Sequence, residues 1–260
     1  MGRSSVLDRY QHKDGYMKKL LVCLGISFAL VACSPGATQK AENSAQPVEA
    51  TGTAQPVAVA AADKPDSGKT ASDDANTAKL IDPSLLNETA PLTFHVLVQT
   101  TKGNMRFKID RTWAPHGVDR FYNLVKNGYF TDIAMFRMVP GFVVQFGIHG
   151  KPILNDVWRE ATIPDDPANQ TNADGTLTFA NAGPNTRTTQ MFFNIANNAA
   201  LDNRGFPPIG KLVEGREVLD KLNYEYGEKP HQGMIQKKGN AYLKESFPNL
   251  DYILSITIEE

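Results

Sequence analysis

Three short segments of the 260-residue chain place polar side chains among apolar ones in ways that suggest chemistry. In Phe136–Gln145, Arg137 and Gln145 stand among apolar residues on either side of Pro140-Gly141. A second segment runs from Phe179 through Ala180, Asn181 and Gly183-Pro184-Asn185 to Thr186, and continues as Gln190-Met191-Phe192-Phe193. The third is Asn198-Ala199-Ala200-Leu201-Asp202. An arginine in an apolar strand needs a partner or a job, because an unpaired buried charge is costly. It is always protonated, so Arg137 offers a permanent hydrogen-bond donor. Taken alone, Arg137 is equally an edge-strand arginine paired with a carboxylate. Phe142, Phe192 and Leu201 are by default core residues, and Asn181 with Gly183-Pro184-Asn185 makes an ordinary turn.

Composition narrows the classes. Lys+Arg 27 against Asp+Glu 28 gives a net charge of -1, which lacks the basic face that nucleic acid requires. Two cysteines cannot form a disulfide scaffold, and no Cys/His spacing resembles a zinc site. No apolar run reaches the ~20 residues of a membrane-spanning helix.

The elements that must position these residues lie in the last two thirds of the chain. Phe94, Val96 and Val98, then Met105, Phe107 and Ile109 after the Lys102-Gly103-Asn104 turn, alternate as in a half-buried β-hairpin. Pro115 opens a helix with Val118, Phe121, Leu124 and Val125 on one face and Gly128 as its stop. Short strands follow near 134–139, 142–146, 176–179, 191–195 and 209–213. A second amphipathic helix covers about 216–222, and residues 252–258 make a closing strand. Many short strands with two helices point to a mainly β barrel or sandwich. The stretch 224–250, with Gly227, Pro230, Gly233 and Gly239, reads as a surface excursion with a short helix at 241–246.

The first third reads as address and tether. Met17-Lys18-Lys19 and the apolar run Leu20–Ala32 form a secretory signal within residues 1–32, with translation starting at Met17. Small residues before Cys33 resemble the lipobox of bacterial lipoproteins, in which that cysteine is lipidated. Acyl chains worth ~0.8 kcal/mol per buried CH₂ then hold the protein to a membrane that it does not cross. Ser34 resembles the outer-membrane sorting signal, with the domain facing the periplasm. Residues 33–90, rich in Ala, Thr and Pro and free of aromatics, are expected to be disordered, with a reach of roughly 40 Å. The domain proper is expected at 91–260.

Within that domain, R-x-x-P-G-F-x-x-Q from Arg137, the A-N-A-G-P-N-T run with Q-x-F-F after it, and Leu201-Asp202 resemble the cyclophilins. The resemblance extends from about Phe94 to Ile258 in order. It implies an eight-stranded antiparallel closed β-barrel capped by two α-helices, and peptidyl-prolyl cis/trans isomerase activity on proline-containing polypeptides. It makes Arg137 the catalytic residue and Gln145 the carbonyl-binding amide. Phe142, Val143, Phe192 and Leu201 become the proline pocket. Ala180 and Asn181 pair with the substrate main chain, and Gln190 is a second pocket-side amide. No cofactor and no metal are expected, and a monomer is.

Three departures from the family pattern stand out. Ala200 occupies a position that is Trp in many members, from which weak cyclosporin binding is expected. The family's pocket histidine has no counterpart, and Phe206 is the substitute wall. Position 143 is more often Met. The alternatives are a non-catalytic module that holds proline peptides in the same groove and, less favoured, a ligand-carrying barrel.

Overall fold

The computed structural model describes residues 77–259. The expected signal segment, Cys33 and the tether as far as residue 76 lie outside the described residues. Nine strands form one antiparallel sheet: β1 (Thr93–Thr100), β2 (Gly103–Asp110), β3 (Ile133–Ala134), β4 (Arg137–Val139), β5 (Val143–Phe146), β6 (Thr176–Phe179), β7 (Met191–Asn194), β8 (Pro208–Glu214) and β9 (Tyr252–Glu259). Their order is β3-β9-β1-β2-β8-β6-β7-β5-β4. The expected hairpin forms in the expected register, with Phe94 opposite Ile109 and Val98 opposite Met105.

The two edges of this sheet, β3 and β4, are separated in the chain by Met135 and Phe136 alone. So short a link reaches no more than about 11 Å, so the sheet must curl until its ends are neighbours. The mainly β, antiparallel expectation therefore holds. The count is nine because β3 and β4 pair with different partners: Ile133-Ala134 lies along β9, with Met135 N–H bonding Asp251 C=O at its end, and Arg137–Val139 lies along β5.

Among the described residues, four α-helices of five or more residues flank the sheet: α1 (Pro115–Lys126), α2 (Pro152–Trp158), α3 (Arg216–Asp220) and α4 (Gln232–Ser246). The expected pair are α1 and α3. Helix α1 starts at Pro115, buries Val118, Phe121, Leu124 and Val125, and is followed by Gly128 at φ 73°. The Asp166 carboxylate accepts from His116 and Gly117 N–H at its first turn, where the helix dipole favours an anion. Buried Arg187 pairs with the same carboxylate at 2.9 Å. Helix α2 was not anticipated, since its seven residues are too few to show a period. In the 224–250 excursion, α4 extends further than the short helix expected there. Gly239 breaks it with φ 59°, and a Cβ at that position would fall 1.9 Å from Gly150 C=O. Only glycine fits there.

One boundary needs correction. Residues 80–90, expected to be tether, are packed on the domain. Leu80 is buried, and its C=O accepts from the Trp158 indole at 2.8 Å. Glu88 N–H donates to Asn123 Oδ1 and Ala90 N–H to Asp119 Oδ1. A segment with little apolar surface of its own is held by burying two or three side chains and satisfying its backbone on α1.

Candidate active site

Side chains on successive strand residues point to opposite faces, and β5 and β7 use this to build two different environments. Val144 and Phe146 on β5, with Met191 and Phe193 on β7, face the main core. Val143 and Phe192 face the other way. With Leu201 they form a second buried cluster, against which Phe142, Ala180 and Phe206 pack. The edges of Phe192 and Phe206 meet at a centroid distance of 5.9 Å and 68°. The five apolar residues expected to line the pocket are thus brought together with Ala180, which was expected beside the main-chain contact, apart from the core.

The polar candidates adjoin them in one chain of contacts. Arg137 on β4 lies opposite Gln145 on β5, which in turn lies opposite Phe192 on β7. Arg137 Nη1 donates to Gln145 Oε1 at 3.3 Å, and Gln145 Nε2 donates to Gln190 Oε1 at 2.9 Å. The guanidinium stands 5.8 Å over the Phe142 ring. Gln145 is buried, whereas Arg137 keeps 27% of its side chain exposed. A permanent donor therefore sits at the rim of an apolar hollow, oriented by an amide that is itself oriented.

Ala180 and Asn181 leave the end of β6. Ala180 N–H bonds Gln190 C=O at 2.9 Å. The Asn181 side chain donates to Gly205 C=O at 2.7 Å, which ties this segment to the loop that carries Phe206. Ala200, where many relatives of the resembled family have Trp, is exposed at the start of the 3₁₀-helix Ala199–Arg204.

Four polar residues to which sequence reasoning assigned no role in the site help to build it. Asn172 donates to the Asp202 carboxylate and to Phe206 C=O, while its Oδ1 accepts from Thr178 and Asn194. Asn194 Oδ1 accepts from Asn198, whose amide also donates to Phe142 C=O at 2.8 Å. With Asn172, Asn194 and Thr178 fully buried, this network fixes the walls Phe142, Leu201 and Phe206 relative to β6 and β7. In loops and at strand ends, asparagines look like turn residues, so only their burial reveals them. The fourth is Glu228, whose Oε1 accepts from Arg137 Nε at 2.6 Å.

Among the described residues, no group of three or more His, Cys, Asp or Glu side chains is placed to hold a metal ion. A cavity of about 670 Å³ lies between Gly128–Asp132, His149–Lys151 and α4, and none of the expected site residues lines it. The candidate site is instead the apolar cluster and polar rim on the outer face of β5 and β7. With a cationic donor, neutral amides, apolar walls and no nucleophile, it can bind and orient a partly apolar chain but offers no bond-breaking chemistry.

A family model described as cyclophilin type peptidyl-prolyl cis-trans isomerase/CLD matches residues 95–238. Peptidyl-prolyl cis-trans isomerase A of Dickeya dadantii is 32% identical over 159 residues, 57% of this chain and 82% of that protein. The isomerase ppi1 of Schizosaccharomyces pombe is 31% identical over 134 residues, 49% of this chain and 84% of that protein. A solved cyclophilin type isomerase of Cryptosporidium parvum superposes with a TM-score of 0.50 at 21% identity, covering 65% of this chain and 98% of that one.

Proposed function

Because this chain belongs to the cyclophilin family of peptidyl-prolyl cis-trans isomerases, we propose that the groove beside Arg137 is where it turns X–Pro bonds. The observation that carries this assignment is the separation of the two clusters. Phe142, Val143, Ala180, Phe192, Leu201 and Phe206 bury one another outside the core, and the Arg137–Gln145–Gln190 chain borders them.

The barrier to rotation, ~18–20 kcal/mol, comes from amide resonance. When the C–N bond twists, the nitrogen regains its lone pair and becomes a better acceptor than in either planar form. A donor aimed at it binds the twisted state more tightly than the ground state, which is what accelerates the step. Arg137 supplies that donor, and the apolar hollow holds the proline ring while the carbonyl side turns. Gln145, itself held by Gln190, takes the substrate carbonyl, and the Ala180–Asn181 backbone pairs with the chain on either side. No bond to carbon breaks, so the reaction needs no nucleophile.

A charge-assisted hydrogen bond is worth ~1.5–3 kcal/mol, or about one to two decades of rate. The test follows cis-to-trans relaxation of a short X-Pro peptide, which takes tens of seconds or more uncatalysed. Parent protein is expected to accelerate it and Arg137→Ala to lose ten-fold or more while still folding. Saturable binding of the peptide by a folded parent without acceleration would reject the assignment in favour of a binding module.

We further propose that the enzyme works outside the cytoplasm, tethered by a lipidated Cys33 to a bacterial membrane, where it assists folding of proline-containing envelope proteins. The support is the basic-apolar-lipobox order of Met17–Cys33. Metabolic labelling with radioactive palmitate is expected to mark the parent and not Cys33→Ala; an unlabelled parent would sink the anchor.

A further inference from the structure

The excursion between α3 and α4 reaches the catalytic groove through one side chain. Gly227 C=O accepts from Met138 N–H at 3.0 Å, which anchors the excursion to the edge strand beside Arg137. Its own shape is fixed by Gly227 N–H on Tyr224 C=O, by Lys229 N–H on Tyr226 C=O and by the Tyr226–Phe247 ring contact at 5.2 Å. Gly227, at φ 56°, makes the turn. Glu228 follows directly, and its Oε1 lies 2.6 Å from both Nε and Nη2 of Arg137.

From this geometry we infer that Glu228 is a positioning residue for isomerisation, holding the Arg137 guanidinium in the orientation that meets the twisted amide. A guanidinium has five N–H donors in a rigid fork. Glu228 occupies its Nε side, Gln145 takes one N–H of Nη1, and its central carbon stands 5.8 Å over the Phe142 ring. One N–H on each Nη is left uncommitted for substrate. Without the carboxylate, the long side chain keeps a single 3.3 Å bond to Gln145 and regains freedom about its terminal torsions. Misplacement by about 1 Å can cost a reaction up to 10²-fold. A stabilising role is a poor explanation, because Glu228 is 62% exposed and exposed ion pairs add little to stability. The opposite electrostatic role, in which the carboxylate weakens the donor by partly neutralising it, predicts the reverse sign.

This inference rests on Arg137 being the donor, and the experiment separates the two. Glu228→Ala is expected to lower kcat about three- to ten-fold, with KM for the peptide and the melting temperature unchanged. Glu228→Gln, whose amide oxygen still accepts from Nε, is expected to stay within about two-fold of the parent. The Arg137 Nε–H resonance should be protected from solvent exchange in the parent and in Glu228→Gln, and lose protection in Glu228→Ala. Arg137→Ala/Glu228→Ala should be no slower than Arg137→Ala. Parent-like or faster turnover by Glu228→Ala, or additive losses in the double variant, would overturn the positioning role. Parent-like turnover by Arg137→Ala would instead show that the donor itself was wrongly assigned.

Discussion

The two faces of β5 and β7 are made from the same strands, and often from adjacent residues, yet they serve different ends. Inward, Phe107, Phe146 and Phe193 stack within 5.2 Å of one another in succession, in a core that includes α1 and α2. Outward, Val143, Phe192 and Leu201 are almost as deeply buried, but only by the partly exposed Phe142, Ala180 and Phe206. Burial alone does not distinguish core from pocket. What distinguishes them is who the neighbours are: a continuous apolar network on one side, a polar-braced rim with an arginine on the other. The inward face stabilises the fold. The outward face is held in shape by the Asn172–Asn194–Asn198 network, so that its apolar surface remains available to a ligand.

The largest expected difference between the faces is in their response to acid. His149 is buried on the core side, edge-on to Tyr129 at 5.0 Å, with its Nδ1 accepting from Lys151 N–H. Burial lowers its pKa from 6.5 to about 4, and the Lys151 charge adds to this. Below pH 6.5 the unfolded chain takes up a proton that the folded chain refuses, so stability falls with falling pH. The loss from this group is on the order of 3 kcal/mol by pH 4. A guanidinium donor keeps its charge throughout this range, so kcat/KM should be flat from pH 6 to 8. Urea unfolding at pH 7 and 4.5 checks the first point, with His149→Asn expected to lose less on acidification than the parent. Equal losses in both proteins would remove His149 from the account, and a rate that changes several-fold across pH 6–8 would argue against an arginine donor.

Much of this division was legible in the sequence, and for unequal reasons. Alternation in 94–109 gave the hairpin and its register, because a slip of one residue would turn every apolar side chain outward. Alternation also runs through Met191-Phe192-Phe193, but it cannot say which face is core. The motif order from Arg137 to Leu201 pointed to the outward set, and the five expected pocket residues converge there with Ala180. Glu228 was not legible: it lies 91 residues from Arg137 in an irregular segment, and an exposed glutamate carries no pattern. Helix α4 was read only in its second half because Gly233 and the kink at Gly239 break its period. The docking of Leu80 was hidden for a similar reason, since one leucine in a polar stretch shows no period at all.

A smaller effect tests the division most directly, because it uses one substitution at two neighbouring positions. Val143 and Val144 are both valines on β5, 2% and 0% exposed, with side chains on opposite faces. Val144→Ala is expected to lower unfolding free energy by about 2 kcal/mol and leave kcat/KM unchanged once the protein is folded. Val143→Ala is expected to cost less stability but reduce kcat/KM roughly ten-fold, the scale set by losing apolar contact with a bound ring. Crossed effects of this kind would establish the outer face as the isomerase site and the inner face as its support. Equal losses of stability with parent-like turnover in both variants would contradict it.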